Sequence, residues 1–381
     1  MSSTDPHEGG DAVQAPPVTK LDRRKQVIAG VLTVAVLAFV FFGVFPKFAN
    51  YSQAWDSIQK MSVAAVAALL VAALVNIVVY VFPYQAALPG LPYGKGFVVR
   101  QTSFMISNAI PAGGAFGLGV QYTMLSGYGF GPAATSSAIA ATSVWNLLVT
   151  LGLPALGVLA IVFQGGATTS EVLGAIGGIV AIGVMVGLLI LVLRSEVTAR
   201  RVGELGDRLA APLIAKVNKR RGVADQGSAS ESEDGDGQVT KAVIHFRDNL
   251  RGVVEDRWGL LTITSILQQL CQFAILAVAF FGLTGTSGGI NLVQLFAAFA
   301  IARLAGFIPI TPGGLGTVDA AMVGMMASMG ADRDTALAAT LLWRAASFIP
   351  QVVLGIITFL IWRKQAHSKG PRDVVEAAAA N

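Results

Sequence analysis

The sequence predicts an all-α, polytopic membrane helix bundle with two oppositely oriented, re-entrant or broken helical hairpins, an inverted repeat. Three observations predict it. The first is composition. Of 381 residues, 54% are hydrophobic and 13% charged, with a mean hydropathy of +0.65. Several apolar runs reach the ~20 residues a helix needs to cross ~30 Å of hydrocarbon, whereas a transmembrane barrel would show short alternating segments. The second is that two apolar segments, 97–129 and 292–329, are each interrupted by proline and glycine. The third is that these segments match each other without a gap, 198 residues apart (Ile110 to Ile308).

The elements follow in order. Residues 1–24 are polar, carry Pro16-Pro17, and read as a disordered cytoplasmic N-terminus. Lys20, Arg23, Arg24 and Lys25 precede the first apolar run, Gln26 to Phe45. No small-residue cleavage site follows it, so an uncleaved first helix is expected. A second helix is expected from Ser62 to Phe82, then a Pro/Gly-rich stretch, Pro83 to Gly96. The segment Phe97–Gly129 is broken at Ile110-Pro111-Ala112-Gly113-Gly114. It is too interrupted for one straight span and too apolar for a soluble loop, so it reads as a hairpin that enters and leaves on one side. Pro132 to Phe163 reads as one long helix with a kink near Pro154, and Val172 to Leu193 as another span, stopped by Arg194. Residues 25–194 form the first membrane half.

Residues 195–257 are hydrophilic. Val202, Leu205, Leu209, Leu213 and Val217 recur at helical spacing among basic residues. Such a helix lies on an anionic leaflet or serves as a solvated linker. Gly222 to Gly237 is acidic and Gly/Ser-rich, and is expected to be disordered. The loop is too short for a second catalytic domain. The second half, 258–363, holds a span from Trp258 to Gly282, the second broken segment, Leu292–Met329, and a long helix from Thr335 to Trp362. Residues 364–381 form a tail.

Lys and Arg concentrate at the N-terminal flank, in 195–257 and at the C-terminal flank, which places all three, and both termini, on the cytoplasmic side. Two helices then return the chain to the inside at Lys95 and Arg100. The first hairpin opens from the cytoplasm and the second from outside. The pairing extends beyond the prolines: Met124 with Met322, Ala140-Ala141-Thr142 with Ala338-Ala339-Thr340, Trp145 with Trp343, and Leu156-Gly157 with Leu354-Gly355. Inverted repeats of this kind place a site near the membrane midplane.

The candidate site is the second break. Proline removes a backbone donor and glycine admits unusual angles. Lipid cannot satisfy the freed backbone, so a protein-lined or water-filled cavity is implied around Pro312, Gly313 and Gly314. Arg303 precedes the break, Asp319 follows it, and Arg344 lies in the middle of the next helix. A charge at bilayer depth costs roughly 2.5–3.5 kcal/mol on insertion scales, so Asp319 is expected to pair with Arg303 or Arg344. Two readings stay open. In one, the charges form a structural ion pair that pins the hairpin to its neighbour. In the other, Arg303 and Arg344 fork around a phosphate, and amides at Gly313 and Gly314 add donors. In the first half, Gln121 matches Asp319 and Asn146 matches Arg344; Asn108 and Asn146 are candidates for the same cavity. Gln268, Gln269 and Gln272 cluster on the helix before the second hairpin, either between helices or facing that cavity. His7, His245 and His367 fall outside the apolar runs, and Cys271 is the single cysteine. No metal, cofactor, catalytic constellation or nucleic-acid partner is expected.

At Pro312-Gly313-Gly314-Leu315-Gly316, with the acid at 319, Arg303 upstream and Arg344 downstream, the chain resembles the lysylphosphatidylglycerol synthase-type transmembrane region. This is a bacterial flippase-like integral membrane family, and the resemblance covers about residues 25–365. The family more often has Glu where this chain has Asp319. The resemblance implies the membrane half of the synthase's work: moving or presenting a phospholipid or polyprenyl-phosphate lipid in the bacterial cytoplasmic membrane. The soluble aminoacyltransferase domain is absent from the sequence, so lysyl transfer is not implied. The expected partners are membrane lipids, either an anionic phospholipid or a lipid-linked phosphate. The alternative is a non-transporting scaffold for a cell-envelope enzyme.

Overall fold

The structure, a computed structural model, describes residues 58–109, 113–163, 186–205, 238–285, 288–307 and 312–368, with single positions at 56, 180, 183–184 and 207. The expected helix 26–45, the two proline breaks at 110–112 and 308–311, the acidic stretch 222–237 and both tails lie outside the described residues.

Every regular element among the described residues is helical: α1 (Val63–Val79), α2 (Phe82–Ala87), α3 (Tyr93–Ala109), α4 (Gly113–Gly127), α5 (Pro132–Phe163), α6 (Gln238–Thr284), α7 (Leu292–Leu304), α8 (Thr317–Ser328) and α9 (Arg333–Ser368). Residues 186–194 and 196–205 are also helical. Local chemistry sets several ends. Ser62 Oγ accepts from Ala65 N at 3.2 Å and starts α1. Asn291 Oδ1 accepts from the amides of Val293 and Gln294, and Gln294 Oε1 accepts from Asn291 N, a reciprocal cap that starts α7.

Among the described residues, four stretches are long and apolar enough to cross a membrane: Val63–Ala87, Pro132–Val162, Asp256–Thr284 and Arg333–Gln365. Their outer faces are apolar and open, with Leu70 at 65%, Leu74 at 62% and Ile263 at 66% exposure. Water would penalise that surface; lipid solvates it. The hairpin helices are shorter, 17, 15, 13 and 12 residues for α3, α4, α7 and α8. At ~1.5 Å per residue each spans about 18–26 Å, less than the hydrocarbon thickness.

Two segments differ from the sequence reading. The stretch Pro83 to Gly96 contains α2 and the start of α3. Pro83 sits in the first turn of α2, where a missing N–H leaves no bond unmade. The span expected from Trp258 is the second part of a longer helix that starts at Gln238. Hydropathy marks where a helix meets lipid, not where its hydrogen bonding begins. The early part of α6 is anchored by Asp207 Oδ2, which accepts from Thr240 N (3.0 Å) and Thr240 Oγ1 (2.7 Å).

Both broken segments fold as packed helix pairs. Gly113 sits against the carbonyls of Ile106 and Ser107, leaving no room for a Cβ, so α3 and α4 approach closely behind the break. At their open end the Lys95 ammonium lies 5.1 Å over the Tyr128 ring. The open end of the α7–α8 pair closes where Gly289 (φ 78) abuts Gly330 (φ 113). The tips of the two hairpins touch each other: a Cβ on Gly313 would lie 2.5 Å from Asn108 Oδ1.

Each hairpin also packs on a long helix of the other half. α3 runs antiparallel to α9. Phe104 meets Phe348 (5.5 Å between centroids), Gly355 fits against Gln101 and Met105, and Thr102 Oγ1 lies 3.1 Å from Thr358 Oγ1. Trp362 then packs against the core cluster that includes Leu88, Leu91 and Val99. The open end of the first hairpin therefore lies toward the C-terminal end of α9, and that of the second at its N-terminal end, where Gly330 leads into Arg333. In the other direction α7 packs on α5 through Gly157, whose Cβ would sit 2.9 Å from Ala297 Cα. Two aligned tryptophans fasten the long helices to α6: Trp145 Nε1 donates to Thr262 Oγ1 (2.8 Å) and Trp343 Nε1 to the Gln272 carbonyl (3.0 Å).

Candidate functional site

α7 ends at Leu304 and tightens into a 3-10 turn, Ala305–Phe307. After the break, a second 3-10 turn, Pro312–Gly314, leads into α8. Gly313, Gly314 and Gly316 have φ of 60, 65 and 84, the left-handed region that glycine enters at little cost. That turn lets α8 start with Asp319 in its first turn. Asp319 Oδ2 accepts from Gly316 N at 2.8 Å, so the side chain caps its own helix.

The other carboxylate oxygen faces Arg344 on α9. Arg344 Nε donates to Asp319 Oδ1 at 2.8 Å, and Nη2 lies 2.6 Å from the same oxygen. The Nη2 approach lacks hydrogen-bond alignment, so it is an ion contact and that nitrogen has no acceptor. The side chains are 3% and 13% exposed. The partner of Asp319 is thus Arg344, not Arg303. The Arg344 guanidinium also rests 4.8 Å from the Trp343 ring.

Arg303 has no carboxylate partner among the described residues. Its Nη2 makes a long bond to Gln269 Oε1 (3.4 Å), its Nε is buried without an acceptor, and its guanidinium lies 5.9 Å from the Phe299 ring. Gln269 is held in turn by Thr150 Oγ1 at 3.1 Å. This places one of the three clustered glutamines between helices. Gln268 and Gln272 line the adjoining space, and Gln272 Nε2 donates to the Tyr80 hydroxyl at 2.8 Å.

Between the hairpin tips is a cavity of about 290 Å³. Arg100, Arg303, Arg344, Asn108, Asn146 and Gln272 supply its polar wall; Phe104, Trp343 and Phe348 are part of its apolar wall. A second cavity of about 220 Å³ shares Arg100, Asn108, Asn146 and Gln268 and extends to Gln121 and Tyr84. No carboxylate lines either cavity among the described residues. A larger groove of about 860 Å³, bounded by Trp145, Leu189 and Trp258, is mostly apolar and is lined by none of the candidate residues.

The sequence-derived candidates divide accordingly. Arg303, Gly313 and Arg344 line the first cavity, and Asn108 and Asn146 line both. Asp319 stands behind Arg344 and lines neither. Gln121 lines only the second cavity, where its Nε2 donates to the Tyr84 hydroxyl at 3.1 Å. Gly314 is buried against Val318, and Pro312 contributes backbone to the turn. Arg100 was missed. The sequence reads it, with Lys95, as a mark of the cytoplasmic rim, but it is 9% exposed and lines both cavities. Its position four residues before Phe104 and eight before Asn108, all on one helix face, was the available signal.

The arrangement gathers three guanidinium groups around one cavity, with a single carboxylate, Asp319, paired to them among the described residues. It suits an anion with several acceptor oxygens.

Comparison with known proteins agrees with a membrane role. A segment of 80 residues is 32% identical to the UPF0104 membrane protein MJ1595 of Methanocaldococcus jannaschii, covering 21% of this chain and 24% of that protein. The chain thus spans about a quarter of the length of that relative. The family model described as "Lysylphosphatidylglycerol synthase TM region" matches residues 27–355. With four helices among the described residues able to span a bilayer and a family match over most of its length, this multi-pass membrane protein belongs to the lysylphosphatidylglycerol synthase transmembrane region family.

Proposed function

We propose that this chain is a flippase-like protein of the bacterial cytoplasmic membrane that binds a phosphate-bearing lipid, a phospholipid or a polyprenyl-phosphate-linked lipid, and passes it between leaflets. The observation that carries the reading is the cationic surplus in the cavity between the hairpin tips: Arg303 and Arg100 line it without a carboxylate partner among the described residues. Buried charges without partners are costly and are kept where a ligand supplies the opposite charge.

The inverted repeat belongs to this reading. Gly157 and Gly355, aligned in sequence, make the same kind of close approach to the other half's hairpin. The open ends of the hairpins lie toward opposite ends of α9. Both features support two entrances on opposite faces, with the cavity between them and both termini cytoplasmic. Each hairpin then gates one face, and the lipid's chains stay in the bilayer while its headgroup crosses through the cavity. The protein does no covalent chemistry in this reading.

The test is translocation of a fluorescent anionic phospholipid in reconstituted vesicles, read by quenching from outside. Arg303→Gln is expected to lower the rate by about tenfold or more, the worth of one charge-assisted bond set. An unchanged rate removes the cavity from the mechanism.

One observation favours a second reading. The closed Asp319–Arg344 pair fits a scaffold that holds a cell-envelope enzyme and moves nothing. In that case wild-type vesicles show no translocation above protein-free vesicles. The scaffold reading accounts for the pair but leaves the unpaired Arg303 and Arg100 unexplained.

A further inference from the structure

Arg100 is a charged group for which the fold supplies no counter-charge. It is 9% exposed, and its guanidinium lies 4.4 Å from the Tyr80 ring and 4.8 Å from the Phe104 ring. Aromatic faces lower the cost of burying a cation but offer no acceptor for its five N–H groups. No hydrogen bond or ion pair to Arg100 exists among the described residues. Its position is central, because it lines both cavities, as do Asn108 and Asn146. The charge balance of the joined space is then simple. Asp319 cancels Arg344, and Arg303 and Arg100 leave two positive charges that no described wall residue offsets.

We infer that the site takes a lipid whose headgroup is a dianionic phosphate, a phosphomonoester or diphosphate, with Arg100 as a third anion-binding residue alongside Arg303 and Arg344. This rests on the proposed lipid-binding function and narrows it. A phosphodiester headgroup carries one negative charge and leaves one arginine unmatched. A headgroup with an added ammonium finds no free carboxylate, since Asp319 is engaged on both oxygens. The carboxamides of Asn108 and Asn146 contribute neutral donors and do not alter the charge count.

The test uses full-length protein in detergent and three probes: short-chain phosphatidic acid (a phosphomonoester), short-chain phosphatidylglycerol (a phosphodiester) and inorganic pyrophosphate. Affinities are measured by calorimetry at pH 8 and pH 5. The expected result is that phosphatidic acid binds about 10- to 100-fold more tightly than phosphatidylglycerol at pH 8, the worth of one charge-assisted bond set. The preference is expected to fade at pH 5, below the second phosphate ionisation near pH 6. Arg100→Gln is expected to remove the preference while phosphatidylglycerol binding persists, and Arg100→Lys to keep part of it. Equal affinity of the wild type for the two lipids overturns the dianion inference and leaves the lipid reading standing. Pyrophosphate binding as tightly as phosphatidic acid overturns the lipid source. Binding of no probe overturns both readings. The wild-type ratio decides the matter even where Arg100→Gln fails to fold.

Discussion

Asp319→Asn isolates the charge of the buried pair. Asparagine keeps a carbonyl oxygen that can accept from Gly316 N, so the cap on α8 survives and the ion pair is what is lost. Removing one partner of a buried pair costs about 3–5 kcal/mol, mostly because the other charge is stranded. The two partners are not stranded equally. Arg344 keeps 13% exposure and borders a cavity, so without Asp319 it is solvated in part, and the cost belongs at the low end, about 3 kcal/mol. Asp319 is 3% exposed and would retain only the Gly316 amide, so Arg344→Gln belongs at the high end, about 5 kcal/mol. The double variant leaves no bare charge and should cost less than the sum of the two by about 2–3 kcal/mol. Reversible unfolding in mixed micelles with increasing SDS, followed by circular dichroism, measures all four proteins. Costs that add to within about 0.5 kcal/mol would refute the coupling. An Asp319→Asn cost above that of Arg344→Gln would refute the assignment of the buried end.

Gly157→Ala and Gly355→Ala should each destabilise by about 1–3 kcal/mol in the same unfolding assay, because a methyl at either site overlaps the facing hairpin helix, inside van der Waals contact. In a Cys271→Ala background, Lys95→Cys should react with a membrane-impermeant thiol reagent only from the cytoplasmic side and Arg333→Cys only from outside; labelling of both from one side removes the inverted repeat. Asp332 starts α9, its carboxylate accepting from Thr335 N and Oγ1 at 2.9 Å, and the Thr335 amide foremost holds that carboxyl below the usual carboxylate range. A depressed folded value means the contribution is present above the ordinary value near 3.9 and is lost as pH falls through the lower folded one. Asp332→Ala should therefore cost about 1 kcal/mol at pH 7 and progressively less below about pH 4, measured as the difference in unfolding free energy from wild type.

Much of this architecture is legible in the chain because lipid makes sequence explicit. The ends of α5, Pro132 and Phe163, coincide with the boundaries of one apolar run. Pro309 through Gly316 announce a break, and α8 starts at Thr317 as the glycines require. Asp319 and Arg344 stand out as charges in oil. What stayed hidden depends on partners distant in sequence. Whether Asp319 turns to Arg303 or Arg344 is a matter of which face of α9 packs on α8. Arg100 looked like a rim residue because an arginine near a span end usually is one; only the approach of Tyr80 and the packing of α3 against α9 carry it inward. The early part of α6 was invisible to hydropathy for a different reason, since a polar stretch can be helical when it is anchored by Asp207 outside the bilayer. The aligned glycines at 157 and 355 could be matched as letters, but that they seat a neighbouring helix is a fact of tertiary packing.

The meeting of Asn108 with Gly313 has a mechanical meaning. At that point a single carboxamide, that of Asn108, is laid on a backbone that has only hydrogen to present. So close a fit leaves no slack, because a methyl group added at 313 would meet that carboxamide and act as a wedge between the two helix pairs.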